Sequence, residues 1–143
     1  MSEQPPKPNG TPPPDLTTLI PGSVGARFVA TITVSLMKGA GQITLTELSA
    51  GRVKLEGTAQ VPVMGDMPLA IAFDVAPDGS AVGWYGGGRY PGTAESEAGG
   101  LVIRLGKTLQ HRCRVTPDGQ GGLRIKASLK KRPNLDIRLT PAD

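Results

Sequence analysis

From Ala26 onward, apolar residues recur at every second position in short segments separated by glycine and proline, and this period of two commits the chain to β-structure. The clearest run sets Phe28, Ala30, Ile32, Val34 and Leu36 on one face, with Arg27, Thr31, Thr33 and Ser35 opposite. Gly39-Ala40-Gly41 predicts a turn into a strand over 42–48, and Ser49-Ala50-Gly51 a turn into one over 52–61. Further strands are expected over 68–75, 81–85, 101–105, 111–115, 123–129 and 135–139, with Pro77-Asp78-Gly79 and Pro117-Asp118-Gly119 as turns. With 20 glycines and 14 prolines in 143 residues, the pattern implies an all-β chain. The expected fold is an antiparallel small β-barrel or sandwich of about eight or nine strands. Eight glycines between residues 79 and 100 predict an irregular loop after Trp84.

The length suits one domain. Residues 1–21 carry seven prolines among polar residues, which resists helix and strand alike and predicts a disordered Pro-rich tail ahead of an all-β domain at 22–143. Cys113 is the sole cysteine, so no intramolecular disulfide can form and an oxidising compartment is not required. No basic start leads into an apolar run, and no apolar stretch approaches the ~20 residues of a membrane-spanning helix. A cytoplasmic protein without membrane insertion is therefore expected.

Charge divides the chain unequally. Residues 101–143 hold ten Lys/Arg against three Asp, whereas the first hundred hold six Lys/Arg against nine Asp/Glu. Strand parity turns Arg104, Arg112, Arg114, Arg124, Lys126 and Arg138 outward, while Lys107 and the Lys130-Lys131-Arg132 run add charge at segment ends. Like charges on neighbouring strands repel, and an anion or acidic partner would relieve that cost. The partner expected for this basic face is an acidic protein surface or a phosphate-bearing ligand. Nucleic acid fits less well, because only five aromatics are present to stack bases.

Little in the sequence points to catalysis. His111 and Cys113 share a strand face but have no further His or Cys to complete a metal site, so the pattern predicts a buried thiol beside a partly buried imidazole. No Gly-x-Ser-x-Gly elbow is present, and Gly86-Gly87-Gly88-Arg89 lacks the Lys-Ser/Thr ending of a phosphate-binding loop. No catalytic residue, metal or cofactor is expected.

Residues Glu47-Leu48-Ser49-Ala50-Gly51-Arg52-Val53-Lys54-Leu55, with the Pro62-Val63-Met64-Gly65-Asp66 that follows, resemble the second signature of PilZ domains. These are small β-barrels that bind cyclic diguanylate through Asp/Asn-x-Ser-x-x-Gly and an upstream Arg-x-x-x-Arg. Glu47 stands where Asp or Asn is expected, Arg52 where the final glycine is expected, and Ser23 at the place of the first arginine. The resemblance implies Arg27 and Ser49 as nucleotide contacts, in a member that acts through protein contacts at least as readily as through the nucleotide.

Three functional readings follow. The first is a non-catalytic binding or regulatory module that uses the basic face. The second is a small-ligand receptor or carrier, for cyclic diguanylate at Arg27 and Ser49 or for an apolar ligand in a cavity lined by Phe28, Ile32, Leu69, Ile71 and Phe73. The third is a structural subunit that associates with copies of itself or joins a larger assembly.

Overall fold

The computed structural model describes residues 12–34, 36–62, 65–85, 88–106, 111–128 and 134–142. Lys107, the Lys130-Lys131-Arg132 run and the Val63-Met64 and Gly86-Gly87 pairs lie outside these residues. Ten strands follow one another: β1 (Arg27–Val34), β2 (Met37–Ser49), β3 (Arg52–Val61), β4 (Gly65–Val75), β5 (Ser80–Tyr85), β6 (Gly88–Glu97), β7 (Gly100–Leu105), β8 (His111–Pro117), β9 (Leu123–Ser128) and β10 (Leu135–Pro141). Each pairs antiparallel with its neighbour in sequence, and β10 pairs back onto β1 with Ile32 opposite Ile137, which closes the barrel. Closure leaves no first or last strand exposed.

The all-β antiparallel expectation holds, as a barrel and not a sandwich, with ten strands where eight or nine were expected. The extra strand is β6, inside the stretch expected to be an irregular loop. Gly92 of β6 faces inward, where a Cβ would overlap the carbonyl oxygen of Arg104 on β7. Gly41 is used in the same way. The turn expected at Gly39-Ala40-Gly41 lies earlier, between Val34 and Met37, and Gly41 sits within β2, where a Cβ would overlap the Thr58 carbonyl of β3. These glycines let strands approach and bend; they do not break them.

The tail boundary also moves. Leu16–Leu19 forms one helical turn, α1, capped by Asp15, whose carboxylate accepts from the Thr17 amide at 2.8 Å. Leu16, Leu19 and Ile20 are buried in the same apolar cluster as the strands, and the Leu16 amide donates to the Ala50 carbonyl in the β2–β3 turn at 3.0 Å. The prolines restrict the segment, but Leu16, Leu19 and Ile20 supply what an end of the barrel needs to exclude water. Residues 12–20 are thus a plug belonging to the domain, not a tail; residues 1–11 lie outside the described residues.

Inside the barrel the described side chains are apolar apart from His111, while outward positions carry Arg, Lys, Glu and Thr, the reverse of a lipid-embedded barrel. No described helix is long and apolar enough to cross a membrane. Leu16 is wholly buried. Leu16→Ala should therefore lower stability by about 2–4 kcal/mol in urea unfolding. A change below about 0.5 kcal/mol would show that the helical turn does not seal the barrel.

Candidate ligand-binding cavity

The meander puts alternate connections at opposite ends of the barrel. Around the β2–β3 turn, α1 closes one end, and Phe28, Leu45, Leu101, Val115 and Leu139 fill the interior beside it. The described residues leave the other half hollow. A cavity of about 310 Å³ opens there, walled mainly by the strand ends nearest that side: Ile32 and Val34 of β1, Ala59 and Val61 of β3, Leu69 and Ile71 of β4, and Ala127 of β9, with Phe73 farther along β4 also on the wall. Leu105, His111, Cys113, Ile125, Leu135 and Ile137 complete the wall. The described β4–β5 pairing ends at Ile71 opposite Tyr85, and Pro68 and Ala70, which pair with β3, also border the space.

Parity had grouped Phe28, Ile32, Leu69, Ile71 and Phe73 as one lining. Four of the five line the cavity. Phe28 does not; it is buried in the plugged half, because its strand begins at the end that α1 closes. Small inward residues such as Ala59 and Ala127 leave the space that bulky ones would fill. Sequence reasoning did not single them out for the cavity, since an alanine in an alternating strand reads as ordinary core.

Three residues of β8 border the cavity, His111, Arg112 and Cys113, of which His111 and Cys113 have inward parity. His111 meets Tyr90 edge to face, with ring centroids 6.0 Å apart and planes at 74°. Its Nδ1 is buried and has no hydrogen-bond partner among the described residues. Cys113 is buried, and loss of solvation pushes its thiol up to about 12. The thiol is therefore a small neutral wall group, not a nucleophile. Among the described residues, no three or more His, Cys, Asp or Glu gather in a way that could hold a metal ion.

The basic positions all lie on the outer surface, and the register sets like charges face to face: Arg104 opposite Arg112, Arg114 opposite Lys126, and Arg124 opposite Arg138. Carboxylates of the same chain sit among them. Arg104 bonds Glu95 at 2.6 Å, Arg112 bonds Glu97 at 3.1 Å, and Arg114 also bonds Glu97. Arg124 grips Asp136 through Nε at 3.1 Å and Nη2 at 2.7 Å. The anionic relief that sequence reasoning assigned to a partner is thus supplied in part from within. Glu95 Oε2 and Arg114 Nε are buried without a hydrogen-bond partner among the described residues.

Arg27 and Ser49 do not meet. Arg27 lies opposite Thr44, five residues along β2 from Ser49, and both side chains are exposed. That spacing is roughly 16 Å of strand. Glu47 and Arg52, which fill motif positions of the PilZ resemblance, bond each other at 2.8 Å across the β2–β3 turn. Arg52 also bonds Asp74 at 2.6 Å and lies 5.2 Å from the centroid of Trp84. These contacts, the Glu47 bond foremost, raise the Arg52 guanidinium above its ordinary value, and the Arg52 bond lowers the Glu47 carboxyl.

No protein-family model and no curated protein matches the chain. Among solved structures it is similar to a redesigned beta barrel, mFAP1, bound to DFHBI, at 12% identity over 88% of this chain and 98% of that one, with a TM-score of 0.51. It is also similar to a de novo designed fluorescence-activating beta barrel, at 11% identity over 89% and 97% of the two chains, with a TM-score of 0.44. At such identities the first likeness is one of fold, and the second adds nothing to it.

Two outcomes test the chemistry of these groups. The Arg124 bond holds the Asp136 carboxyl below its usual range, so its contribution to stability is full above the unfolded value of ~4 and is lost as pH falls through the depressed folded value. Wild type should exceed Asp136→Asn in urea unfolding at neutral pH, and the gap should close at about pH 2; a gap independent of pH refutes this pairing. Iodoacetamide at pH 8 should alkylate Cys113 roughly a thousand-fold more slowly in the native than in the unfolded protein. Comparable rates would mean the thiol is not desolvated.

Proposed function

We propose that this protein is a non-catalytic receptor or carrier for a small, mainly apolar molecule, held inside the open half of the barrel. The observation that carries the reading is the apolar cavity of about 310 Å³ that persists in an otherwise filled interior. Its volume lies at the lower end of the range for small-molecule sites, and its concave apolar wall with few polar groups is the usual composition of such sites. Packed cores avoid voids of this size, because unfilled space forfeits dispersion contacts and costs stability in proportion to its volume. A ligand would restore those contacts.

Transfer of apolar surface out of water would drive binding, with no ionic contact in the described interior to contribute. Salt should therefore not weaken it, in contrast to capture by the outer arginines, which salt would screen. Titration with N-phenyl-1-naphthylamine, an uncharged probe that fluoresces in apolar surroundings, should give saturable single-site binding that is undiminished in about 1 M NaCl. The same probe should raise the thermal midpoint. Ala127→Trp, which fills the cavity from β9, should abolish both signals while the barrel stays folded. Absence of saturable binding to wild type, or unchanged binding to Ala127→Trp, would refute the reading.

A further inference from the structure

His111 is an anomaly in this cavity. Burying a polar nitrogen without a partner costs free energy, and proteins ordinarily satisfy such atoms. Nδ1 of His111 is buried and has no partner among the described residues, in a side chain that lines the cavity and whose ring lies edge-on to Tyr90. Its neighbours across the lining are Leu105, directly opposite on β7, and Cys113, two residues along β8; neither offers a strong hydrogen-bonding group.

The charge around the site narrows what could satisfy that nitrogen. Arg112 borders the cavity, but it has outward parity on β8 and its guanidinium bonds Glu97 on the outer surface at 3.1 Å. Arg114, also of outward parity, bonds the same carboxylate. Neither offers a countercharge in the interior. Among the described residues, a carboxylate or phosphate placed there would lose its hydration without a paired cation, which disfavours anionic ligands. A hydroxyl loses far less on burial, and it can donate or accept, so it matches an imidazole nitrogen whether or not that nitrogen carries the proton.

We propose that the cavity selects a neutral, mostly apolar molecule bearing one hydroxyl group, a phenol or an alcohol, whose hydroxyl bonds the buried Nδ1 of His111 while its apolar body fills the space between β4 and β10. The volume of about 310 Å³ accommodates on the order of ten water-sized groups, the scale of a fused bicyclic aromatic. The proposal rests on the cavity being a ligand site.

A matched pair of probes separates the two claims. Naphthalene and 2-naphthol differ by one hydroxyl and are both neutral at pH 7. Each is used to displace N-phenyl-1-naphthylamine from the full chain and from His111→Phe and His111→Asn. The first variant keeps an aromatic ring without nitrogen, and the second keeps a polar atom near the place of Nδ1. Water solvates 2-naphthol better than naphthalene, so a preference for 2-naphthol has to come from the site. Wild type should bind 2-naphthol on the order of ten-fold more tightly than naphthalene. His111→Phe should erase that ratio while holding naphthalene as well as wild type does, and His111→Asn should restore part of it. Equal binding of the two probes to wild type, or a ratio that survives His111→Phe, would overturn the hydroxyl assignment and leave the cavity reading standing. Failure of every probe to bind wild type would overturn both.

Discussion

Closing ten strands into one sheet is the constraint on which the rest of this structure depends. Barrel diameter grows with strand number, and about eight strands already make an interior that side chains just fill. A ten-stranded barrel built mainly from Val, Ile, Leu and Ala therefore has more interior than its side chains can occupy. One half is filled by recruiting residues from outside the sheet, namely Leu16, Leu19 and Ile20. The other half receives no such insert among the described residues and retains the cavity.

Inward glycines make that closure sterically possible. At Gly41, Gly57 and Gly92 a Cβ would overlap a carbonyl of the adjoining strand, so only a bare α-carbon permits the approach. Inward alanines at Ala59 and Ala127 leave space at the open end. Curvature and cavity thus come from the same shortage of inward side-chain volume.

The exterior follows a separate logic. Register forces Arg104 against Arg112 and Arg124 against Arg138, and Glu95, Glu97 and Asp136 intersperse carboxylates among them. The basic segment, notable in one dimension, becomes in three a surface of partly compensated charge. Strand parity separates the two faces, and Arg112, which borders the cavity, turns its guanidinium to Glu97 on the outer one. The lining of the cavity and the solvation of the surface are independent properties of alternate residues.

By itself, the sequence determined that the chain would be antiparallel β, where most strands lie, and which residues share a face. Ile32, Leu69, Ile71 and Phe73 were legible as inward, and so was the pairing of His111 with Cys113, because strand periodicity is a local property of the backbone. Only the tertiary structure decided that the sheet closes and that β6 is a strand despite its glycines. It also decided that Leu16 belongs to the core and that Phe28 lies below the cavity rather than on its wall. The physical reason is that glycine encodes a turn or a close approach with the same letter, and only the neighbouring strand decides between them. Likewise, whether an inward side chain meets another across the barrel or faces empty space depends on its height along the axis and on what plugs the end. Neither quantity exists until residues far apart in the chain have been brought together.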